Sequence, residues 1–257
     1  MPSRERVSRA EAIVLRHMDW GEADRLLWLF TRQAGKIRAV AKGVRKPRSR
    51  KAGHLEPFTR VSLLLAQGRD LPIITQADTI ESHLVLRESL QRMGYAAYIV
   101  ELLDRFTYEE GENIPLYTLL ADTLERLCSE PDPAFVVRYY EIRLLDLVGF
   151  RPQLLQCVGC GKPIQPEDQF FSTAQGGLLC PRCGERLPGA RAVTLGAVRF
   201  LRHIQRSSYA EATRLPLTEA VNHEIERLMQ HYFIYLLERS LNTPAFLSLI
   251  DKSGGVR

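Results

Sequence analysis

The sequence predicts an α+β multidomain chain: a five-stranded N-terminal barrel of the OB type, then an α-helical domain with an inserted zinc ribbon. Three features of the 257 residues carry this. Short apolar runs with two-residue alternation fill the first 80 residues, and apolar residues then recur at helical spacing. Two Cys-x-x-Cys pairs, Cys157/Cys160 and Cys180/Cys183, stand 19 residues apart. The predicted boundaries are 1–80 for the barrel, 81–155 for the first helical part, 156–187 for the ribbon, 188–250 for the second helical part and 251–257 for a disordered tail.

In the first third, strands are predicted over Ala12–Arg16, Arg25–Thr31, Lys36–Lys42, Phe58–Ala66 and Leu71–Ala77. Turns fall at Asp19–Glu22, Gln33–Gly35 and Gln67–Asp70. Five short antiparallel strands in one small domain must hide their edges, which a partly open Greek-key barrel of the OB type does; an SH3-like barrel fits the strand count nearly as well. Leu26, Trp28 and Phe30 share one face and are assigned to the core, which leaves Trp20 and Phe58 as the freer aromatics.

Charge is unevenly placed. The chain carries a net +5, but residues 1–80 hold 16 Lys/Arg against 8 Asp/Glu, a local +8 that leaves −3 for the remainder. Between Asp24 and Glu56 no acid occurs among ten basic residues: Arg25, Arg32, Lys36, Arg38, Lys42, Arg45, Lys46, Arg48, Arg50 and Lys51. Lys36, Arg38 and Lys42 share one parity, opposite Ile37, Ala39 and Ala41, so they are expected on one barrel face. The polar loop Gly43–Gly53 carries the charge onward and is expected to be mobile when free. Such a surface neutralises phosphates and implies salt-dependent nucleic-acid binding, without separating DNA from RNA. An RNA-binding OB-fold zinc protein is therefore the alternative on charge alone.

Helical spacing begins after Asp78. Leu84, Leu90, Tyr95, Tyr98, Ile99 and Leu102 form a stripe ending at Phe106, and further helices are predicted over Pro115–Leu127 and Pro133–Val148. Asp132-Pro133 starts the latter and Gly149 stops it. Beyond the ribbon, Thr194 caps a helix to about His203, Thr218–Ser240 forms a long one and Pro244–Ile250 a short one. Arg199, Arg202 and Arg206 cluster on the first of these, either extending a DNA track or facing solvent. Cys128 sits among leucines, as a buried inert thiol would.

Two residues between cysteines turn both sulfurs of a pair toward one point, and two such pairs supply the four thiolates of a closed tetrahedral site for one structural Zn2+. Gly161 and Gly184 follow the pairs and are expected to take the left-handed conformation of a knuckle; Gly176-Gly177 marks a hairpin between them. Four thiolates leave no open position for catalysis, and no carboxylate cluster for a hard cation is visible, which argues against a zinc-dependent hydrolase or nuclease. His54-Leu55-Glu56 lacks the proline-cysteine partner of a deaminase signature, and Arg227 stands where a metalloprotease motif opened by His223-Glu224 needs its second histidine. There is no Walker loop, no secretory signal and no apolar run of membrane-spanning length, so the expected setting is cytoplasmic, where thiols stay reduced.

The order of these parts resembles the RecO family of bacterial recombination mediators over nearly the whole chain. The likeness is carried by Gly21-Glu22-Ala23-Asp24-Arg25, Thr31, Gly35-Lys36, Ala39-Val40-Ala41-Lys42-Gly43-Val44-Arg45, Leu55-Glu56-Pro57-Phe58, Leu144-Leu145-Asp146-Leu147-Val148-Gly149-Phe150, Phe171-Ser172, Gly176-Gly177-Leu178-Leu179 and the four cysteines. The resemblance implies a non-enzymatic protein that binds single- and double-stranded DNA and anneals complementary strands. It further implies contact with single-stranded DNA-binding protein through that partner's acidic C-terminal tail, complex formation with RecR, help in loading RecA, and a nucleoid-associated location. Its DNA contacts map onto Arg25, Lys36, Arg38, Lys42 and Arg45, and more loosely onto Lys46, Arg48, Arg50 and Lys51. Glu22 and Asp24 read as turn or salt-bridge partners of nearby cations.

Overall fold

The computed structural model describes residues 7–108 and 111–238, with 241, 243, 244 and 247 beyond them. The chain divides into two compact units, Met1–Ser129 and Glu130–Arg257. The expected tail, and most of the expected helix Pro244–Ile250, lie outside the described residues. Among those described, no helix is long and apolar enough to cross a membrane.

The first unit opens with β1 (Val7–Trp20), β2 (Asp24–Thr31), β3 (Gly35–Ala41), β4 (Arg60–Ala66) and β5 (Ile73–Glu81), joined in the ring order β1-β2-β3-β5-β4. This is the OB arrangement. β1 serves two neighbours: its first half pairs with β4, while β2 runs along it from Ala12 to Trp20 and follows a bulge between Val14 and Arg16. Such a bulge bends a strand, as closure requires. The ring closes where β5 meets β3 in parallel at a single pair, Val40 and Ile73.

Small residues make the closed interior fit. Ala10, Ala12, Ala39 and Ala41 line it with Leu27, Leu29 and Leu63. Here the expectation for β2 is corrected: Leu27 and Leu29 fill the barrel, while Leu26, Trp28 and Phe30 lie on its outer face. Leu26 and Phe30 are nevertheless buried. With both faces of β2 largely covered, alternation alone does not reveal which points inward. The basic loop is a second correction. Val44 and Leu55 bury themselves in the barrel core, Arg45 N donates to Ala23 O at 2.9 Å, and a single 3-10 turn spans Ala52–His54, so the segment is pinned to the barrel.

Helices α1 (Leu84–Glu88), α2 (Leu90–Phe106) and α3 (Ile114–Ser129) fall in the same compact unit as the barrel. Ser89 separates α1 from α2 by taking the Arg92 N–H at the α2 N-terminus, and this break leaves Leu84 and Leu90 exposed instead of on the buried stripe. The Tyr117 ring stacks on Phe30 with centroids 6.4 Å apart. Its hydroxyl donates to Glu11 Oε1 at 3.0 Å, an oxygen that also accepts from Arg60 Nε at 2.7 Å.

The second unit contains α4 (Pro133–Leu147), β6 (Gln169–Ser172), β7 (Gly177–Leu179), α5 (Pro181–Gly184), β8 (Arg191–Val193), α6 (Leu195–Arg206), α7 (Tyr209–Ala212) and α8 (Glu219–Leu237). Asp132 caps α4 through the Phe135 N–H, and proline occupies its first turn. The helix is buried nearly all round, with an Arg138–Glu141 ion pair at 3.0 Å inside it. Thr194 caps α6 through Ala197 N, and Glu224 of α8 takes both the Thr194 N–H and its hydroxyl at 2.6 Å. That contact gives Glu224 a structural task.

Glu11 ties β1, β4 and α3 together, and its carboxyl is held below its ordinary 4.5: burial would raise it, but hydrogen bonds from Arg60 and Tyr117 outweigh burial. A depressed folded pKa gives stability that is present above 4.5 and lost as pH falls through the folded value. Glu11→Gln should cost about 2 kcal/mol at pH 7 in denaturant titrations, with the deficit shrinking on acidification.

Candidate nucleic-acid interface and metal centre

In the second unit the two Cys-x-x-Cys turns meet. The sulfurs of Cys157, Cys160, Cys180 and Cys183 all lie within 4.8 Å of one another, the grouping a single metal ion requires. Cys180 N donates to Cys157 Sγ at 3.3 Å, and Gly161 N closes the first turn on Cys157 O at 2.8 Å. Burial pushes the Cys157 thiol up, but the N–H groups of Cys180, Cys160 and Gly159 prevail and bring it to about 6. The neighbouring sulfurs push the Cys183 thiol the other way, so the fit rests on the grouping of the four sulfurs. The donor set therefore fits a bound metal ion.

The two knuckle glycines differ from expectation in a telling way. Gly161 has φ +73°, as expected, whereas Gly184 has no left-handed conformation. Gly184 is instead required by space, because a Cβ there would lie 2.2 Å from the Phe170 ring. The ribbon also extends past its expected end at 187, for β8 adds to β6 to give the order β7-β6-β8. Phe171 of β6 is fully buried and packs edge-on against Tyr232 of α8 at 5.3 Å, and Arg202 Nε donates to Leu154 O at 2.7 Å on the segment leading into the ribbon. Arg202 thus braces backbone, while Arg199 and Arg206 are exposed.

In the first unit, the acid-free basic run meets acids supplied from elsewhere in the chain, and they sort it. Lys36 is buried: its Nζ reaches Asp104 Oδ1 at 2.9 Å and Asp104 O at 2.7 Å, at the C-terminal end of α2. Lys36, Arg38 and Lys42 share one parity on β3 as expected, but Asp104 of α2 covers the Lys36 end. Arg25 donates to Glu56 at 3.0 Å and lies 3.8 Å from Asp19, while Arg45 pairs with Asp19 at 3.2 Å. Burial would raise Glu56, but hydrogen bonds from Arg25 and His17 hold it below the usual carboxylate range. Asp24 accepts the Gly43 N–H at 2.7 Å, the turn role expected of it. Lys51 Nζ donates to Lys42 O at 3.1 Å and Ile74 O at 2.9 Å, and burial lowers its ammonium pKa against the pull of Asp24. Arg38, Lys42, Lys46, Arg48 and Arg50 remain exposed.

Comparison with known proteins finds relatives over nearly the whole chain. A family model described as Recombination protein O N terminal matches residues 6–83, and one described as Recombination protein O C terminal matches 87–245. The chain belongs to the RecO family. It is 41% identical over 95% of its length to the DNA repair protein RecO of Roseiflexus sp. (strain RS-1), covering 86% of that protein. It is 37% identical to the one from Pelotomaculum thermopropionicum, with 93% of each chain covered, and 36% identical to that of Symbiobacterium thermophilum, with 93% of this chain and 96% of that one covered.

For this RecO-family chain, sequence reasoning missed Arg16. Its guanidinium lies 3.5 Å over the centre of the Trp28 ring on the outer barrel face, and a β1 register carried through the bulge would have placed it there. At the metal centre, Gly184→Ala should destabilise the protein by about 2 kcal/mol and weaken metal retention against a chelator, as the Phe170 contact forces the knuckle open.

Proposed function

We propose that this protein is a non-enzymatic, DNA-binding recombination mediator in DNA repair. The observation that supports it most is the band of exposed cations, Arg38, Lys42, Lys46, Arg48 and Arg50, held on a folded OB barrel in a chain whose relatives are named DNA repair proteins. Arg25 and Arg45, partly engaged with acids, flank that band and add to its field. Two phosphate backbones brought onto such a surface repel each other less, so complementary bases can pair without nucleotide hydrolysis. Single- and double-stranded DNA are both ligands in this reading. RecR, the acidic tail of single-stranded DNA-binding protein and, indirectly, RecA are its partners, on the cytoplasmic nucleoid.

One Zn2+ held by Cys157, Cys160, Cys180 and Cys183 stabilises the ribbon in this proposal and supplies no chemistry beyond folding energy. Arg199 and Arg206 are further candidates for DNA contact; Arg202 is not, because it already braces Leu154.

Charge reversal tests the assignment. The double variant Arg38→Glu/Lys42→Glu should bind a single-stranded oligonucleotide at least tenfold more weakly in anisotropy titrations, lower the slope of log affinity against log salt by about 2, and melt like the wild type. Lys36→Met should instead lose about 1–2 kcal/mol of stability by removing the two Nζ hydrogen bonds to Asp104, which keeps Arg16 as a partner. Undiminished binding by the folded double variant would contradict the proposed interface.

A further inference from the structure

In the second unit a cavity of about 350 Å³ lies between the ribbon strand β8 and the long helix α8, a volume in the range that takes small ligands. β8 contributes Arg191 and Val193 to its lining; α8 contributes Glu224, Arg227, Leu228 and His231, which recur at three- and four-residue spacing and so share one helix face. Val193 and Leu228 are buried and give the cavity an apolar floor. β8 stands at the end of the order β7-β6-β8, and Arg191 on it is exposed.

The charge around that floor is mostly positive. Glu224 is the one acid on the lining, and both its oxygens are engaged, Oε1 by the Thr194 N–H and Oε2 by the Thr194 hydroxyl, each at 2.6 Å. Arg227 is exposed, and its Nε donates to His223 O on its own helix at 3.3 Å. Among the described residues no carboxylate pairs with Arg191 or Arg227. His231 Nδ1 lies 2.6 Å from Arg227 O, which can only accept, so Nδ1 carries the proton and Nε2 is left for a ligand.

Two guanidinium forks and an imidazole nitrogen offer more partners than the two oxygens of a carboxylate use, and they match the terminal oxygens of a phosphate. The apolar floor calls for an organic group on that phosphate. We propose that this cavity binds a phosphomonoester carrying a flat or apolar group, the chemistry shared by a free nucleoside 5′-monophosphate and a phosphorylated 5′ strand end. Arg191 and Arg227 hold the phosphate, and Val193 and Leu228 carry the organic group. His231 Nε2 accepts the hydroxyl proton of the phosphate monoanion or, when protonated, donates to the dianion. The site belongs to the second unit and stands independently of the DNA-binding reading, which rests on the barrel.

The test uses the full, metal-loaded chain in calorimetric titrations with thymidine 5′-monophosphate, thymidine and inorganic phosphate. The monophosphate should bind, thymidine should not, and inorganic phosphate should bind more weakly for want of the apolar contact. Arg191→Gln/Arg227→Gln should melt like the wild type and weaken monophosphate binding at least about tenfold, whereas Arg38→Glu/Lys42→Glu should leave it unchanged. If the first pair does not fold, Arg191→Gln alone should weaken binding about threefold. Anisotropy titrations with oligodeoxythymidylate bearing a 5′-phosphate or a 5′-hydroxyl separate the two sources. A preference of about fivefold for the phosphorylated end, lost in Arg191→Gln/Arg227→Gln, assigns the strand end; equal affinities with the monophosphate bound assign the free nucleotide. The site is overturned if the monophosphate does not bind and the two oligonucleotides bind equally, if inorganic phosphate binds as tightly as the monophosphate, or if the arginine variants bind it undiminished. Each of these results leaves the DNA-binding reading untouched, while loss of oligonucleotide binding without loss of monophosphate binding removes that reading and keeps the site.

Discussion

The ion pair between Lys36 and Asp104 sets what the barrel can do. A buried ammonium needs a partner, and the one available sits at the end of α2 together with the Asp104 carbonyl. Meeting that need draws the helix across the outer face at β3, next to the place where Tyr117 covers Phe30 and reaches Glu11. One end of the sheet thus becomes core. The other keeps Arg38, Lys42, Met18 and Trp20 in solvent.

The same accounting explains why the acid-free run is not uniformly available. Its acids come from outside the run: Asp19 and Glu56 engage Arg25, Asp19 engages Arg45, and Asp104 engages Lys36. Lys51 is spent on two backbone carbonyls. What remains on the barrel is a narrower band than ten residues in a row suggest, and it is backed by a loop that Val44 and Leu55 fix in place. A fixed band loses less entropy on binding than a mobile one would.

Much of this was legible in the primary structure, for identifiable reasons. Strand count, turns and the order of parts follow from local alternation and punctuation, and the thiol grouping follows from spacing, because each of these signals is short-range. The inward parity of β2 was not legible, since Leu26 and Phe30 on the outer face are buried nearly as thoroughly as Leu27 and Leu29 inside the barrel. Nor was the fate of Lys36, whose partner is 68 residues away. Gly184 shows a third kind of limit: glycine was expected there for its backbone freedom, yet the Phe170 ring is what excludes a side chain. Long-range partners decided each of these, and no local pattern encodes them.

The central claim is that a basic OB face brings two nucleic-acid strands together without chemistry. Its most direct measurement follows annealing of two complementary, dye-labelled DNA oligonucleotides by the purified protein, at low and high salt, with a matched RNA pair in parallel. The account predicts fast annealing of DNA with no nucleotide present, slowing steeply as salt rises. Binding without annealing, or annealing confined to RNA, would contradict it.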